Sequence, residues 1–197
     1  MQQMKFDVVQ LDPNNPEHHT AVAYIKNCLR PEELYELSAV GAKPDDMLSF
    51  VAMGAALGEV WLICWHGEPV FVWGVFSTVQ GVYGLFGFGT KDTRRAMPAI
   101  TRWGMNTWLP DFLARTNARR IEVRVPTSSV HSIRWLMKLG MRDECVLHNY
   151  SVVGEPFIQL AFTPKASDVH TSPIRYQNPK TATGNSSTHQ NECGHSS

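Results

Sequence analysis

Between Arg119 and Met141 the chain reads RRIEVRVPTSSVHSIRWLMKLGM. Alternating branched residues predict a strand over 119–125, and Pro126 ends it. Ser128 or Ser129 is placed to cap a helix in which Val130, Ile133, Leu136 and Met137 share one face; Gly140 stops that helix. A strand, a break, an amphipathic helix and a glycine stop leave little freedom. The helix must pack its apolar face on the sheet that the strand belongs to.

The flanking sequence supplies the rest of that sheet. A first strand is predicted over Met4–Leu11, followed by turn chemistry at Asp12-Pro-Asn-Asn-Pro16. Apolar residues at helical spacing predict a helix from Glu17 to Leu29, and Pro31 opens a shorter one through Leu37. Asp45 or Asp46 caps a third, which stops at Gly58. Two apolar runs, Glu59–Trp65 and Val70–Val79, flank a hairpin turn at His66-Gly-Glu-Pro69, and a third strand covers Val82–Phe88. A long helix is expected from about Thr93 to Asn117, with a kink or break near Pro110. Cys145–Val153 and Phe157–Phe162 are the final strands. Antiparallel pairs thus give way to a strand–helix–strand crossover, which predicts an α+β fold: a mixed, mostly antiparallel central sheet flanked by helices.

At 197 residues the chain has room for one sizeable core. Residues 1–163 are expected to form that domain. The stretch 164–197, rich in Ser, Thr, Asn, Pro and His, buries too little apolar surface to fold and is expected to be a disordered tail. Eighteen basic residues balance 18 acidic ones, so overall charge predicts no polyanionic partner. Cys28, Cys64 and Cys145 lie in apolar segments and read as buried reduced thiols. The N-terminal residues lack the apolar run of a signal peptide, and the region 59–88 is too interrupted for a membrane span. The expectation is a soluble, cytoplasmic protein.

Few residues advertise chemistry. The glycines of Gly81-Val-Tyr-Gly-Leu-Phe-Gly-Phe-Gly89 do not follow the dinucleotide order, and they lie within a strand. They read instead as a bend or bulge, which could splay the strand and leave backbone groups for an extended ligand. The following helix start combines open N–H groups with Lys91, Arg94 and Arg95, with Thr93 or Asp92 as cap: a plausible anion site. From Lys91 to Arg124 one Lys and seven Arg face Asp92, Asp111 and Glu122, a local excess of +5. A solvated basic face and a phosphate ligand explain that excess equally well; nucleic acid is a third option. The histidines are scattered, no metal spacing or nucleophile motif occurs, and Cys193-Gly-His195 is too slight to count. No metal is predicted, and the six tryptophans read as core.

Taken together, residues from about 4 to 163 resemble the acyl-CoA-dependent N-acetyltransferase (GNAT) superfamily. In that family the strand before the long helix pairs with the pantetheine arm of acetyl-CoA, and a Q/R-x-x-G-x-G/A loop holds the pyrophosphate. The matching segment is Arg94-Arg-Ala-Met-Pro-Ala99. Arg94 and Ala99 fit, Met97 replaces the first glycine, and Pro98 has no amide hydrogen. The later motif N-x-x-A-x-x-x-Y-x-K-x-G-F corresponds to Ser129, Ser132, Leu136, Lys138, Gly140 and Met141. Leu136 stands where a Tyr often protonates the leaving thiolate, and Ser129 where an Asn often contacts CoA. The resemblance implies a cofactor site made from Phe88, Lys91, Thr93, Arg94, Arg95, Met97 and Ser129, with Glu122 or a water as base by default. A narrower resemblance links Phe88–Thr90, the long helix ending in Trp-Leu-Pro, and Arg-Trp-Leu-x-Lys-Leu-Gly to the GNAT-like internal virion protein A family of T7-type phages. That implies a role in virion assembly among phage structural proteins, in the host cytoplasm or the virion, with little or no transferase activity. The alternatives are an active N-acyltransferase using acetyl-CoA on an amine and, resting on the local +5, a nucleic-acid-binding module.

Overall fold

Residues 6–164 are described by the computed structural model. Strand β1 (Phe6–Gln10) leads into helices α1 (Pro16–Asn27), α2 (Pro31–Ala39) and α3 (Asp46–Leu57). A meander follows: β2 (Gly58–Trp65), β3 (Glu68–Val79) and β4 (Val82–Gly89). Helix α4 (Thr93–Trp103) runs through a π-helical turn, Gly104–Trp108, into α5 (Leu109–Thr116). Then come β5 (Arg120–Pro126), α6 (Val130–Lys138), β6 (Arg142–Leu147) and β7 (Phe157–Phe162). The seven strands form one sheet in the order β1-β2-β3-β4-β5-β7-β6, antiparallel everywhere except between β4 and β5. The predicted fold class holds. The expected tail, apart from Pro164, lies outside the described residues, as do residues 4 and 5 of the first predicted strand.

Each face of the sheet buries its own core. Ile63, Phe71, Trp73, Leu85 and Ile121 pack against Ile100, Trp108 and Phe112 of the long helical segment and Leu136 of α6. Val60, Leu62, Val72, Phe86 and Phe88 pack against Ile25, Leu37, Met47 and Val51 of the first three helices. The period-2 alternation of β2 to β4 therefore divides two cores rather than a core from solvent. Within the first core the buried carboxylate of Glu59 accepts from Trp61 Nε1 (3.0 Å), Trp108 Nε1 (2.6 Å) and Arg115 (2.9 Å). Three donors compensate its desolvation.

Several expectations are corrected. The long helix does not break at Pro110. It widens into the π turn just before it, where Leu109 N–H reaches back to Gly104 C=O, an arrangement that absorbs the missing proline donor. Cys28 and Cys145 are exposed and Cys64 half-buried, because edge strand β6 faces solvent and Cys28 closes α1 on its outer side. The penultimate strand starts at Arg142 and ends at Leu147, since Asn149 turns through a left-handed backbone (φ 54°). The β4 glycines mark no bulge: β3 and β4 stay in register from Phe71↔Gly89 to Ser77↔Tyr83. They make room for rings instead. A Cβ on Gly84 would lie 2.6 Å from the Phe76 ring, and one on Gly87 2.6 Å from Phe71; on β3, a Cβ on Gly74 would lie 2.1 Å from Phe86.

Candidate active site

The parallel pairing of β4 with β5 covers only Val82–Gly84 against Arg120–Glu122. Both strands continue past it, to Gly89 and Pro126, without pairing with each other, so the sheet opens in its middle. Backbone groups alternate in direction along a strand. Thr90 N–H donates to Val70 C=O (2.9 Å), and the register sets Phe88 opposite Val72. Phe88 therefore turns its N–H and C=O toward β3, whereas Gly87 turns its own into the gap.

A chamber lies on each side of this opening. One, of about 400 Å³, is walled by Phe71, Trp73, Met97, Trp135 and Leu136, with Arg94 at its rim. The other, of about 560 Å³, is walled by Phe50, Phe76, Phe86, Phe88 and Tyr150. Both are lined by Leu85, Gly87, Val123 and Val125 from the diverging strands and by Glu33 and Glu36 from α2. The chambers meet where the strands part, and two carboxyl groups line the junction.

Helix α2 is fixed across this opening by local chemistry. Pro31 presets its first turn. Arg30 N–H donates to Gly89 C=O (3.1 Å), and Leu29 bridges to Thr90, which ties the start of the helix to the end of β4. Glu33, Glu36 and Leu37 share its inward face, Leu37 reaching the second core. At the far side Tyr35 bonds to Glu155 and Ser128, and Ser132 of α6 donates to Glu36 (3.0 Å). Glu33 is 4% exposed, and Arg30 Nε donates to both its oxygens (2.7 and 2.5 Å). Burial nevertheless wins over the opposing guanidinium and pushes the Glu33 carboxyl up to about 7. Burial also raises Glu36, against hydrogen bonds from Ser129 and Ser132. In the wall of the first chamber, Trp73 is 1% exposed and its Nε1–H has no hydrogen-bond partner among the described residues.

The residues singled out from sequence are only partly brought together. Arg94 and Met97 line the first chamber; Lys91 and Arg95 are exposed outside its lining. Arg94 is tied to Glu32 (2.5 Å), and Arg95 lies 3.4 Å from Asp92. Thr93 is fully buried and its hydroxyl donates to Val70 C=O (2.6 Å), so neither it nor Asp92 caps α4 through a side chain. Phe88 points its ring into the second chamber. Ser129 occupies the N-cap position of α6 without a side-chain cap bond and lines a shallow groove between α2 and α6. Glu122 faces the second chamber, held by Arg120 (2.6 Å), Arg124 (3.8 Å) and Gln159 (3.4 Å). The local positive excess is largely paired: Arg115 with Glu59 and Asp111, Arg120 with Glu122 and Glu144. Among the described residues no group of three or more His, Cys, Asp or Glu is placed to hold a metal ion. No helix among them is long and apolar enough to cross a membrane.

Sequence reasoning missed Glu33, Glu36 and Arg30. The signal was present: Glu33 lies four residues before Leu37 and shares its face, an acid where a core residue belongs.

A sheet that opens between the only parallel pair of strands among the described residues, with helices on both faces, has counterparts among solved acetyltransferase structures. The sequence itself matches no protein-family model and no curated protein. Solved structures match the fold. An acetyltransferase of Bacillus subtilis, solved in complex with CoA, superposes with a TM-score of 0.54 at 13% identity, covering 82% of this chain and 100% of that one. A GNAT-family acetyltransferase from Streptococcus pneumoniae gives 0.58 at 12% identity (82% and 100% covered). Ard1 from Thermoplasma volcanium gives 0.61 at 12% (81% and 98% covered). At these identities the likeness is one of fold. The narrower likeness to phage internal virion proteins finds no support in these comparisons.

Proposed function

We propose that the protein transfers an acyl group from a thioester of the acetyl-CoA type to an amine, with Glu33 as proton acceptor. The observation that carries this reading is the meeting of two chambers, from opposite faces of the sheet, at Glu33 and Glu36. A donor in the first chamber and an amine in the second would bring their reacting atoms together at the opening.

The residues of the first chamber fit the acyl-pantetheine end of such a donor. Gly87 offers backbone groups to an extended arm, the walls are apolar, and Trp73 supplies a buried donor without a partner. The diphosphate end fits less well. Pro98 lacks an N–H, Met97 puts a side chain into the chamber, and Thr93 is already engaged. Exposed Lys91, Arg94 and Arg95 remain the cations nearest this end.

An amine reaches neutral water as an ammonium ion. Glu33, poised near neutral pH, accepts its proton, which then passes to solvent. The freed nitrogen attacks the thioester carbonyl carbon; the C–N bond forms and the C–S bond breaks. The second nitrogen proton goes to the departing thiolate, giving an amide and a thiol. Leu136 has no proton to offer that sulfur, so the step relies on a thiolate being an intrinsically good leaving group. Glu122 lines only the second chamber, whereas Glu33 lines both, which leaves Glu33 the better base.

A second reading, a GNAT-like protein of phage virion assembly with little transferase activity, is favoured by Met97, Pro98 and Leu136 alone. The experiment that separates the two titrates the full chain with acetyl-CoA, CoA and ATP while following the melting temperature, then supplies an amine panel. A saturable rise specific to the CoA compounds, with amide product, supports transfer. No shift at millimolar acetyl-CoA overturns it.

A further inference from the structure

The chamber facing α2 and α3 also constrains the acceptor, on the reading of the site just given. Its floor is aromatic. Phe86 and Phe88 lie 5.9 Å apart (ring centroids), Phe50 lies 5.9 Å from Phe88 and 6.4 Å from Phe86, and Phe76 lies 6.3 Å from Phe86. Two of these rings lie over glycines: Phe86 over Gly74, and Phe76 over Gly84. Rings laid against the sheet in this way leave the volume above them, about 560 Å³, open. Tyr150 closes one side, its ring 4.8 Å from Phe157.

Charge in this chamber is confined to its edges. Glu33 and Glu36 lie at the junction with the other chamber, and Glu122 lies beside the last β4–β5 pair. The lining contains one cation, Arg124, already bonded to Gln159 (3.0 Å) and Tyr150 (3.2 Å) and 3.8 Å from Glu122. Glu122 is already matched by Arg120 (2.6 Å) and Arg124 (3.8 Å), which leaves no uncompensated carboxylate in this chamber, away from the junction, for the second cation of a polyamine. A ligand suited to this arrangement has one ammonium group directed at the junction and an apolar body over the rings.

We infer that the acceptor is a primary amine with a single charge and an aromatic or bulky apolar body, seated on Phe50, Phe76, Phe86 and Phe88 with its ammonium toward Glu36 and Glu33. Glu36 holds the ammonium while Glu33 takes the proton. An amine lacking the apolar body leaves the rings wet and forfeits the transfer free energy of that surface.

The test uses the full chain and four probes: 2-phenylethylamine, ethanolamine, putrescine and a tripeptide with a free N-terminus. Binding is read first, by calorimetric titration without donor, and acylation afterwards with acetyl-CoA. 2-Phenylethylamine is expected to bind at least about tenfold more tightly than ethanolamine or putrescine, the ratio expected from burying one phenyl group. Phe50→Ser, at a half-buried ring on the margin of the second core, should bring that ratio close to one while the variant still binds CoA. Equal or tighter binding of putrescine, or of the tripeptide, overturns the inference. So does failure of 2-phenylethylamine to bind a chain that still binds CoA. Tight, Phe50-dependent binding without acylation supports the acceptor chamber and overturns the transfer reading on which Glu33's role rests.

Discussion

Replacing Glu33 by glutamine isolates the most consequential group in the molecule. Its carboxyl is raised from 4.5 to about 7 by burial, a difference worth about 3 kcal/mol. The sign follows from proton linkage. Between pH 4.5 and 7 the folded state keeps a proton that the unfolded chain releases, so this group makes the fold less stable as pH rises. The stabilisation is complete below pH 4.5 and lost above pH 7. Glutamine has no such proton. Urea unfolding of both proteins from pH 4 to pH 8 should therefore give a stability difference that drifts by about 3 kcal/mol, in favour of the variant at high pH. For a domain of this size that is on the order of 6–12 °C in relative melting temperature. The ion pair with Arg30 forms only when Glu33 is ionised and is already contained in that value; the constant difference between glutamine and the neutral acid leaves the drift unchanged. Parallel curves across the whole range would refute the reasoning, because a carboxyl with an ordinary acidity contributes no such drift. If Glu33 is also the proton acceptor, amide formation should rise through about pH 7 and fall about 10²–10⁴-fold in the variant.

Other expectations are smaller. Gly74→Ala places a Cβ 2.1 Å from the Phe86 ring and should destabilise by about 1–3 kcal/mol in thermal melts. Trp108→Phe removes the 2.6 Å bond to buried Glu59 and should lower stability by about 1–3 kcal/mol in urea titrations, with Trp108→His, which keeps a ring N–H, falling between. Met97→Gly clears a side chain from the first chamber and should tighten CoA binding by calorimetry, while lowering the melting temperature through a loss of about 1 kcal/mol. An unchanged dissociation constant there would mean that Met97 does not obstruct the donor.

The sheet was legible because its signals are local. The apolar runs of β2 and β3, the alternation of β5, Pro31 opening α2 and Gly140 after α6 each specify their own neighbourhood, and together they leave few topologies. The site was legible only in part, because it is made by a departure from local rule. Nothing in Val82–Phe88 says that pairing with β5 stops at Gly84, since that depends on a crossover of some thirty residues. The glycines of that strand suggested a bulge; their reason lies across the ladder, in Phe71 and Phe76, which no periodicity reveals. Glu33 illustrates the other difficulty. On paper it is an ordinary acid in a first helical turn, suited to the dipole. Only the path of α2 across the opening turns it into a buried base candidate.

Among the described residues, the three residue pairs that join β4 to β5 are the only ladder between the two halves of the sheet. Four strands on one side and three on the other are each laced internally by antiparallel pairs, and the two blocks meet along this short seam. A ligand lying in the opening would complete the seam, supplying the pairing that the protein withholds. Substrate would then act as a missing strand, so occupancy would stiffen the whole sheet, and amide exchange at Gly87 and Arg124, whose backbone groups face the opening, would slow before any other backbone reported it. The site and the weakest joint of the fold are one place.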